Sequence, residues 1–279
     1  MYETEGVDRE HMKMPPGHNA LIDRLAKSHG KVVVVLSNGS PVEMPWINDV
    51  QSILEGYLGG QAGAGGVVDI LFGRVNPSGK LAETFPIKLE DTPAYHTFPG
   101  GPAVVEYRES LYVGYRYYDT VGQDVLFPFG FGLSYTTFEY SDLKLKANGE
   151  GVTVSLKIRN VGDIEGKEIV QVYVHDVEST AFRPEKELKG FAKVRLEPGE
   201  TIEASIELSR RAFAFYDPSQ RDWIVETGDF DILVGASSQD IRLSGTIRIE
   251  SKQMAAPPTN REKLEAYYNP QKGEKNQPG

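Results

Sequence analysis

A series of short strand patterns in the second half of the chain constrains its fold more than any other feature. Turn residues separate eight short segments rich in β-branched and aromatic side chains, at residues 140–147, 152–160, 168–175, 187–196, 201–208, 223–225, 230–235 and 242–250. Within residues 152–158, Val, Val, Leu and Ile alternate with Thr, Ser and Lys, which predicts one buried and one exposed face. The pattern predicts an all-β sandwich.

The first half of the chain alternates helix and strand patterns. Apolar residues at helical spacing predict a helix over residues 21–26. Residues 32–36 are continuously apolar and β-branched, which predicts a strand buried on both faces of a parallel sheet. A second strand is predicted within residues 50–58, followed by a glycine-rich turn at 59–66 and a helix over 67–72. This order predicts an α/β layer with a mainly parallel sheet.

Composition excludes several classes of function. The chain has 279 residues, and 30 Lys and Arg against 40 Asp and Glu give a net charge of -10. This excess of acidic residues argues against nucleic acid and anionic membrane surfaces as partners. There is no cysteine, so disulfides, thiolate metal sites and cysteine nucleophiles are excluded. The longest apolar run, residues 32–36, is far shorter than the ~18 residues that a transmembrane helix needs.

Local motifs that suggest ligand chemistry have simpler interpretations. The glycine-rich turn lacks the Gly-x-Gly-x-x-Gly spacing, so close packing of strand and helix is favoured over phosphate binding. The five histidines show no metal-ligand spacing, and no metal site or cofactor is predicted. Asn38-Gly39-Ser40 is a formal glycosylation acceptor, which matters only in a secreted protein. Glu5 lies beside a glycine and could act as a general acid on a loop, although acidic terminal segments are commonly solvated surface.

Five blocks of the sequence carry a resemblance to a known family. They are TEGVDR at residues 4–9, VVVVLSNGSPVEMPW at 32–46, GGQAGAGGVVDILFGRVNPSGKLAETFP at 59–86, YRESLYVGYRYYDT with LFPFGFGLSYTTFEYS at 107–120 and 126–141, and RPEKELKGFAKVRLEPGET at 183–201. In this order they resemble the C-terminal half of glycoside hydrolase family 3 enzymes of the β-glucosidase type. The resemblance runs from about residue 3 to residue 251.

This resemblance implies an enzyme of three domains. A (β/α)8 barrel would carry the nucleophilic Asp, an α/β sandwich would supply the acid/base Glu on a loop, and a fibronectin type III-like domain would follow. Glu5 matches the family's acid/base Glu, whereas the barrel and the nucleophile have no counterpart in this sequence. We therefore expect the chain to be part of a retaining exo-β-glycosidase and to be inactive alone.

Three regions are expected on this basis. Residues 1–136 form an incomplete C-terminal α/β domain with an aromatic connecting segment, residues 137–252 form an immunoglobulin or fibronectin type III-like sandwich, and residues 253–279 form a linker or tail. Trp46, Tyr107 and Phe131 are candidates for substrate contact on the aglycone side, since aromatic rings pack on sugar faces. Core or interdomain packing is an equally good interpretation of each.

Other interpretations stay open at this point. The sandwich could be a noncatalytic carbohydrate-binding or surface-adhesion module, and the first half could be a nucleotide-binding α/β domain, although its glycine spacing disfavours that. The expected partner is an oligosaccharide or glycoside substrate bound through the barrel, and a homo-oligomer stays open. The acidic N-terminal residues have no signal-peptide pattern, so the compartment is undetermined, with the cytoplasm favoured.

Overall fold

The computed structural model describes residues 2, 6–101, 103–149 and 151–255. The α/β part contains helix α1 (Pro16–Ser28), strands β1 (Val33–Leu36) and β2 (Ser52–Glu55), and helix α2 (Gly63–Leu71). Each of the four elements that the sequence predicts here is present. The helices are longer than predicted: α1 begins at a proline, whose missing N–H is no loss in a first helical turn, and α2 begins inside the glycine-rich segment.

Strand β1 differs from its prediction in one respect. It pairs with β2 in parallel, with Val34 opposite Ile53, and this is the one parallel pair within the described residues. Val34 and Leu36 are buried, whereas Val33 and Val35 are 49% and 43% exposed. The prediction of a strand buried on both faces is therefore wrong for this chain, because only one face of the two-stranded sheet is covered by described residues. The mainly parallel sheet is seen only as this small pair.

The covered face of β1 belongs to a small core. Buried residues of α1, β1 and the segments beyond it pack together, and these are Ile22, Val34, Leu36, Val42, Met44, Trp46 and Phe85. Helix α2 contributes no buried residue, and its Val68, Leu71 and the following Phe72 are exposed. The α/β part thus presents apolar side chains on surfaces that a stable domain normally covers.

The sandwich follows the predicted strands closely. Its main strands are β3 (Phe138–Ala147), β4 (Gly151–Asn160), β5 (Gly166–Asp176), β6 (Glu187–Leu196), β7 (Thr201–Ser209), β10 (Gly228–Gly235) and β11 (Ile241–Ile249). Strands β8 (Phe215–Asp217) and β9 (Asp222–Ile224) form a short hairpin. One sheet has the order β3-β4-β7 and the other β11-β10-β5-β6, all pairs antiparallel. The fold classes predicted for the α/β part and for the sandwich are both confirmed.

The core of the sandwich lies between these two sheets. The four apolar residues predicted to face inward from β4 are fully buried, and so are Val170, Val172, Phe230, Ile232 and Val234 from the facing sheet. The prediction that alternating apolar residues form the buried face of each strand is therefore confirmed. None of the helices in the described part of the chain has the length and apolar character of a membrane span.

An aromatic segment connects the two parts and contains the short helix α3 (Tyr115–Val121), which the sequence did not predict. The Tyr115 ring stacks on Phe129 with centroids 4.8 Å apart, and its hydroxyl accepts a hydrogen bond from the Leu188 N–H at 2.8 Å. Gly130 has φ +80°, and a side chain there would overlap Gln171 of β5. Tyr115 therefore packs between the two parts, where it also contacts Tyr173 of β5.

Polar contacts also join the two parts. The Asn76 side chain donates to the Glu165 carbonyl at 2.9 Å and accepts from the Tyr135 N–H at 2.8 Å. Lys80 donates to the Gly132 carbonyl at 2.8 Å and pairs with Glu168 of β5 at 3.3 Å. Because these side chains bridge segments far apart in sequence, they orient the α/β part on the sandwich.

Candidate functional site

The predicted acid/base residue, Glu5, lies outside the described residues. The part of its motif that is described ends at Arg9, whose guanidinium Nη2 donates to the Pro41 carbonyl at 2.9 Å. Pro41 follows the turn after β1, so this bond anchors the end of the motif beside the small parallel sheet. The placement matters because ligands of parallel α/β sheets bind beyond the carboxyl ends of the strands.

Polar residues cluster at that edge of the sheet. Asn38 comes just after β1 and is buried, with its side-chain amide donating to the Ser40 carbonyl at 2.9 Å. Glu55 ends β2, and its carboxylate accepts the Tyr57 N–H at 2.8 Å. Tyr57 holds a left-handed backbone conformation, φ 44°, which costs energy in a residue with a side chain. The burial of Asn38 also removes the acceptor side chain of the glycosylation motif from the accessible surface.

Two carboxyl groups at this edge have perturbed acidity. Burial raises the pKa of Glu55, opposed by the hydrogen bond from the Tyr57 N–H and by the neighbouring Asn38 side chain. Burial likewise raises the pKa of Glu83, opposed by the neighbouring Tyr57 hydroxyl and by the positive charge of Arg9. Burial and the neighbouring Glu83 raise the pKa of Tyr57 in turn. Perturbed groups of this kind, gathered beside a cleft, are typical of functional sites.

Replacing Glu55 with glutamine should stabilise the chain at neutral pH and change little in acid. Since the pKa of Glu55 lies above its ordinary 4.5 in the folded chain, the native state binds more protons than the unfolded state just above that pH. The free energy of unfolding of the natural chain therefore falls as pH rises through the raised pKa, and the variant lacks this loss. Urea unfolding at about pH 4 and about pH 7 measures the difference. Glu10→Gln, at an exposed site, is the control, and an equal offset at both pH values would contradict the expectation.

A cleft of about 620 Å³ opens beside the same edge. Segments far apart in the sequence form its walls, among them Arg9 with Met12, Glu83 with Thr84, and residues 113–116. Its volume lies in the range of roughly 300–1,000 Å³ that is usual for small-molecule sites. Arg9 therefore links the motif that contains Glu5 to a cleft of suitable size.

The three aromatic residues predicted for substrate contact lie in different surroundings. Trp46 is only 2% exposed and sits in the small core, with its indole N–H donating to the Asn19 side chain at 2.9 Å. Phe131 stacks on Phe127 with centroids 5.1 Å apart. Tyr107 is 80% exposed. The structure does not bring these three together, and none of them lines the cleft.

The residues that do line the cleft were not singled out from the sequence. Glu83 and Thr84 lie inside the long block at residues 59–86, where nothing in their spacing marks them. Arg9 was part of a recognised motif, and the aromatic block contains residues 113–116. The described residues contain no group of three or more His, Asp and Glu side chains that could hold a metal ion.

Comparison with known families separates the chain into two matched regions. Residues 1–135 match the Glycosyl hydrolase family 3 C-terminal domain, and residues 168–238 match a Fibronectin type III-like domain. These regions correspond to the α/β part and to the central strands of the sandwich.

Curated relatives and solved structures extend over nearly the whole chain. Thermostable beta-glucosidase B of Acetivibrio thermocellus is 57% identical over 254 residues, which is 90% of this chain and 34% of the relative. An Exo-alpha-(1->6)-L-arabinopyranosidase of Bifidobacterium breve is 42% identical over 92% of this chain and 34% of its own length. The crystal structure of a Bifidobacterium adolescentis GH3 beta-glucosidase superposes with a TM-score of 0.87, at 41% identity, over 92% of this chain and 38% of that one. The chain thus spans about a third of the length of the curated relatives it matches.

Proposed function

Because the chain belongs to glycoside hydrolase family 3, through a C-terminal domain followed by a fibronectin type III-like domain, we propose that it is part of a retaining, exo-acting β-glycosidase of the β-glucosidase type. In this proposal Glu5 is the general acid/base, and the remainder of a longer protein, or a separate chain, supplies the nucleophile. The anchoring of Arg9 beside the cleft is the observation that carries it, since this fixes the end of the Glu5 motif at a site of suitable size.

The chemistry requires two carboxyl groups. In a retaining glycosidase one carboxylate attacks the anomeric carbon, while a second carboxylic acid protonates the leaving oxygen and later deprotonates the attacking water. The two groups stand about 5 Å apart. Glu5 takes the second role here, and the first belongs to the part of the relatives that has no counterpart in these 279 residues. The chain alone therefore cannot complete the reaction.

Exposed apolar surface supports the need for a further domain. Val33 and Val35 of β1, and Val68, Leu71 and Phe72 at the end of α2, are all exposed. Burying them would yield the usual stabilisation of about 25 cal/mol per Å² of apolar area removed from water. A larger enzyme of the relatives' length offers enough additional chain to cover these faces.

A fusion experiment tests the proposal. This chain, joined behind the preceding residues of Thermostable beta-glucosidase B in place of the matched region, should hydrolyse an aryl β-glucoside, because the relative supplies the nucleophile and this chain supplies Glu5. The 279-residue chain alone should release no more phenol than its Glu5→Ala variant. A folded fusion without glucosidase activity would overturn the proposed function, and Glu5-dependent turnover by the isolated chain would overturn the claim that it is incomplete.

A further inference from the structure

The chain contains two Asn-Gly pairs, and the structure places them in opposite surroundings. Asn38-Gly39 follows β1, whereas Asn148-Gly149 lies in the turn between β3 and β4. Asn38 is only 6% exposed, and Asn148 is on the surface. Because glycine has no side chain to hinder the approach, its backbone nitrogen can attack the side-chain amide of a preceding asparagine. The two pairs share this chemistry, so their surroundings decide which of them reacts.

Asn38 is held away from this reaction. Its side-chain amide donates to the Ser40 carbonyl at 2.9 Å, and its Oδ1 atom is buried. The loop that follows is anchored in turn by Arg9, which donates to the Pro41 carbonyl at 2.9 Å. Closing a ring onto Gly39 requires the Asn38 side chain to leave this position and to meet hydroxide and water. Burial permits both only after local opening of the fold.

Asn148 has none of this protection. Its N–H donates to the Gly151 carbonyl at 3.1 Å, which closes the turn, and Gly149 has φ +82°. No described atom lies within 4 Å of the missing side-chain position of Gly149, so the turn has room to rearrange. The Asn148 amide donates to Glu207 of β7 at 2.9 Å and to Thr153 of β4 at 3.3 Å. Both are exposed bonds that compete with water, so they restrain the side chain weakly.

We propose that Asn148 is a site of spontaneous deamidation and that the fold protects Asn38 from the same reaction. The backbone nitrogen of Gly149 loses its proton to hydroxide and bonds to Cγ of Asn148, while the Cγ–Nδ2 bond breaks and the side-chain nitrogen leaves as ammonia. Water then opens the resulting cyclic imide. Attack at Cγ gives aspartate, and attack at the main-chain carbonyl carbon gives isoaspartate. The net reaction consumes one water and releases one ammonia, with no change in oxidation state.

The product lacks the contact that the asparagine makes. The amide group that donates to Glu207 becomes a carboxylate, which has no proton to donate and carries the same charge as Glu207. Like charges on neighbouring strands are destabilising, so the turn between β3 and β4 should separate from β7. The isoaspartate product also lengthens the main chain at the turn. Deamidation thus adds negative charge to an acidic chain and loosens one end of the sandwich.

Peptide mapping of the folded 279-residue chain tests this inference. Trypsin, which cleaves after Lys and Arg, separates the two sites into peptides 32–74 and 147–157. In mildly alkaline buffer, peptide 147–157 should gain the mass of an amide-to-acid conversion and contain both aspartate and isoaspartate, at a rate that rises with pH. Asn38 should react at least about tenfold more slowly, since it reacts only after local opening. In urea the two sites should react at similar rates.

Two variants supply the controls. Asn148→Gln keeps the amide but needs a larger ring, so peptide 147–157 should stay unmodified. Asn148→Asp should reproduce the amide NMR shifts of Thr153 and Glu207 that develop in the aged chain. Equal rates at Asn38 and Asn148 in the folded chain, or an unmodified peptide 147–157 under conditions in which the unfolded chain reacts, would overturn the inference. These measurements need no glycosidase activity, so they are independent of the proposed function.

Discussion

Replacing Glu5 with alanine in the fusion enzyme should lower kcat/KM for cellobiose by about 10²–10⁴-fold. Cellobiose has a poor leaving group, so departure of its glucose depends on protonation of the glycosidic oxygen. A dinitrophenyl β-glucoside needs no such protonation, and its glycosylation step should be nearly unaffected. The comparison of the two substrates therefore isolates the acid role from any general loss of folding.

The base role of Glu5 has a separate signature. Once the glycosyl-enzyme intermediate forms from the activated substrate, the variant lacks the group that deprotonates water, and azide, which needs no deprotonation, should accelerate turnover and yield the glycosyl azide. Glu10→Ala removes another carboxylate close in sequence and should change kcat/KM by less than about twofold, since it has no part in the chemistry. An unaltered rate on cellobiose in Glu5→Ala would show that another residue is the acid/base.

Regular packing made the sandwich predictable from the sequence. In β4 the inward residues from Val152 to Ile158 are apolar and the residues between them are polar, so the pattern predicts both the strand and its orientation. The prediction that β1 is buried on both faces was wrong, because a continuous run of β-branched residues indicates only that both faces of the strand can be buried. Which faces are covered depends on the elements packed against the sheet, and among the described residues only the face with Val34 and Leu36 is covered.

The site was less predictable, for a physical reason. Arg9, Glu83 and Thr84 line one cleft because the chain returns to the carboxyl edge of the β1–β2 pair. No local periodicity or residue spacing in the sequence predicts that these three residues lie close together. Helix α3 was missed because its residues, Tyr-Arg-Tyr-Tyr-Asp-Thr-Val, have no apolar stripe and lie between glycines. Its position is set by the stacking of Tyr115 on Phe129, a tertiary contact.

The largest expected loss of stability comes from Lys80, which joins the two parts of the chain. Its ammonium group is 3.3 Å from the Glu168 carboxylate, with the two side chains only 11% and 5% exposed, and Glu168 also accepts the Tyr140 hydroxyl at 3.1 Å. Lys80→Met keeps the aliphatic length but leaves a buried carboxylate without its cation. Removing one partner of such a pair costs about 3–5 kcal/mol.

A double-mutant cycle decides whether the charge or the packing is responsible. If the unpaired Glu168 carboxylate causes the loss, Lys80→Met combined with Glu168→Gln should recover most of the free energy of unfolding, measured by urea denaturation, because no buried charge then remains. Lys27→Met breaks an ion pair with Asp23 whose side chains are 74% and 53% exposed, and it should cost less than about 1 kcal/mol. Equal effects of Lys80→Met and Lys27→Met would mean that the contact between the two parts does not depend on the buried pair. A double variant no more stable than Lys80→Met would instead assign the loss to the bond from Lys80 to the Gly132 carbonyl.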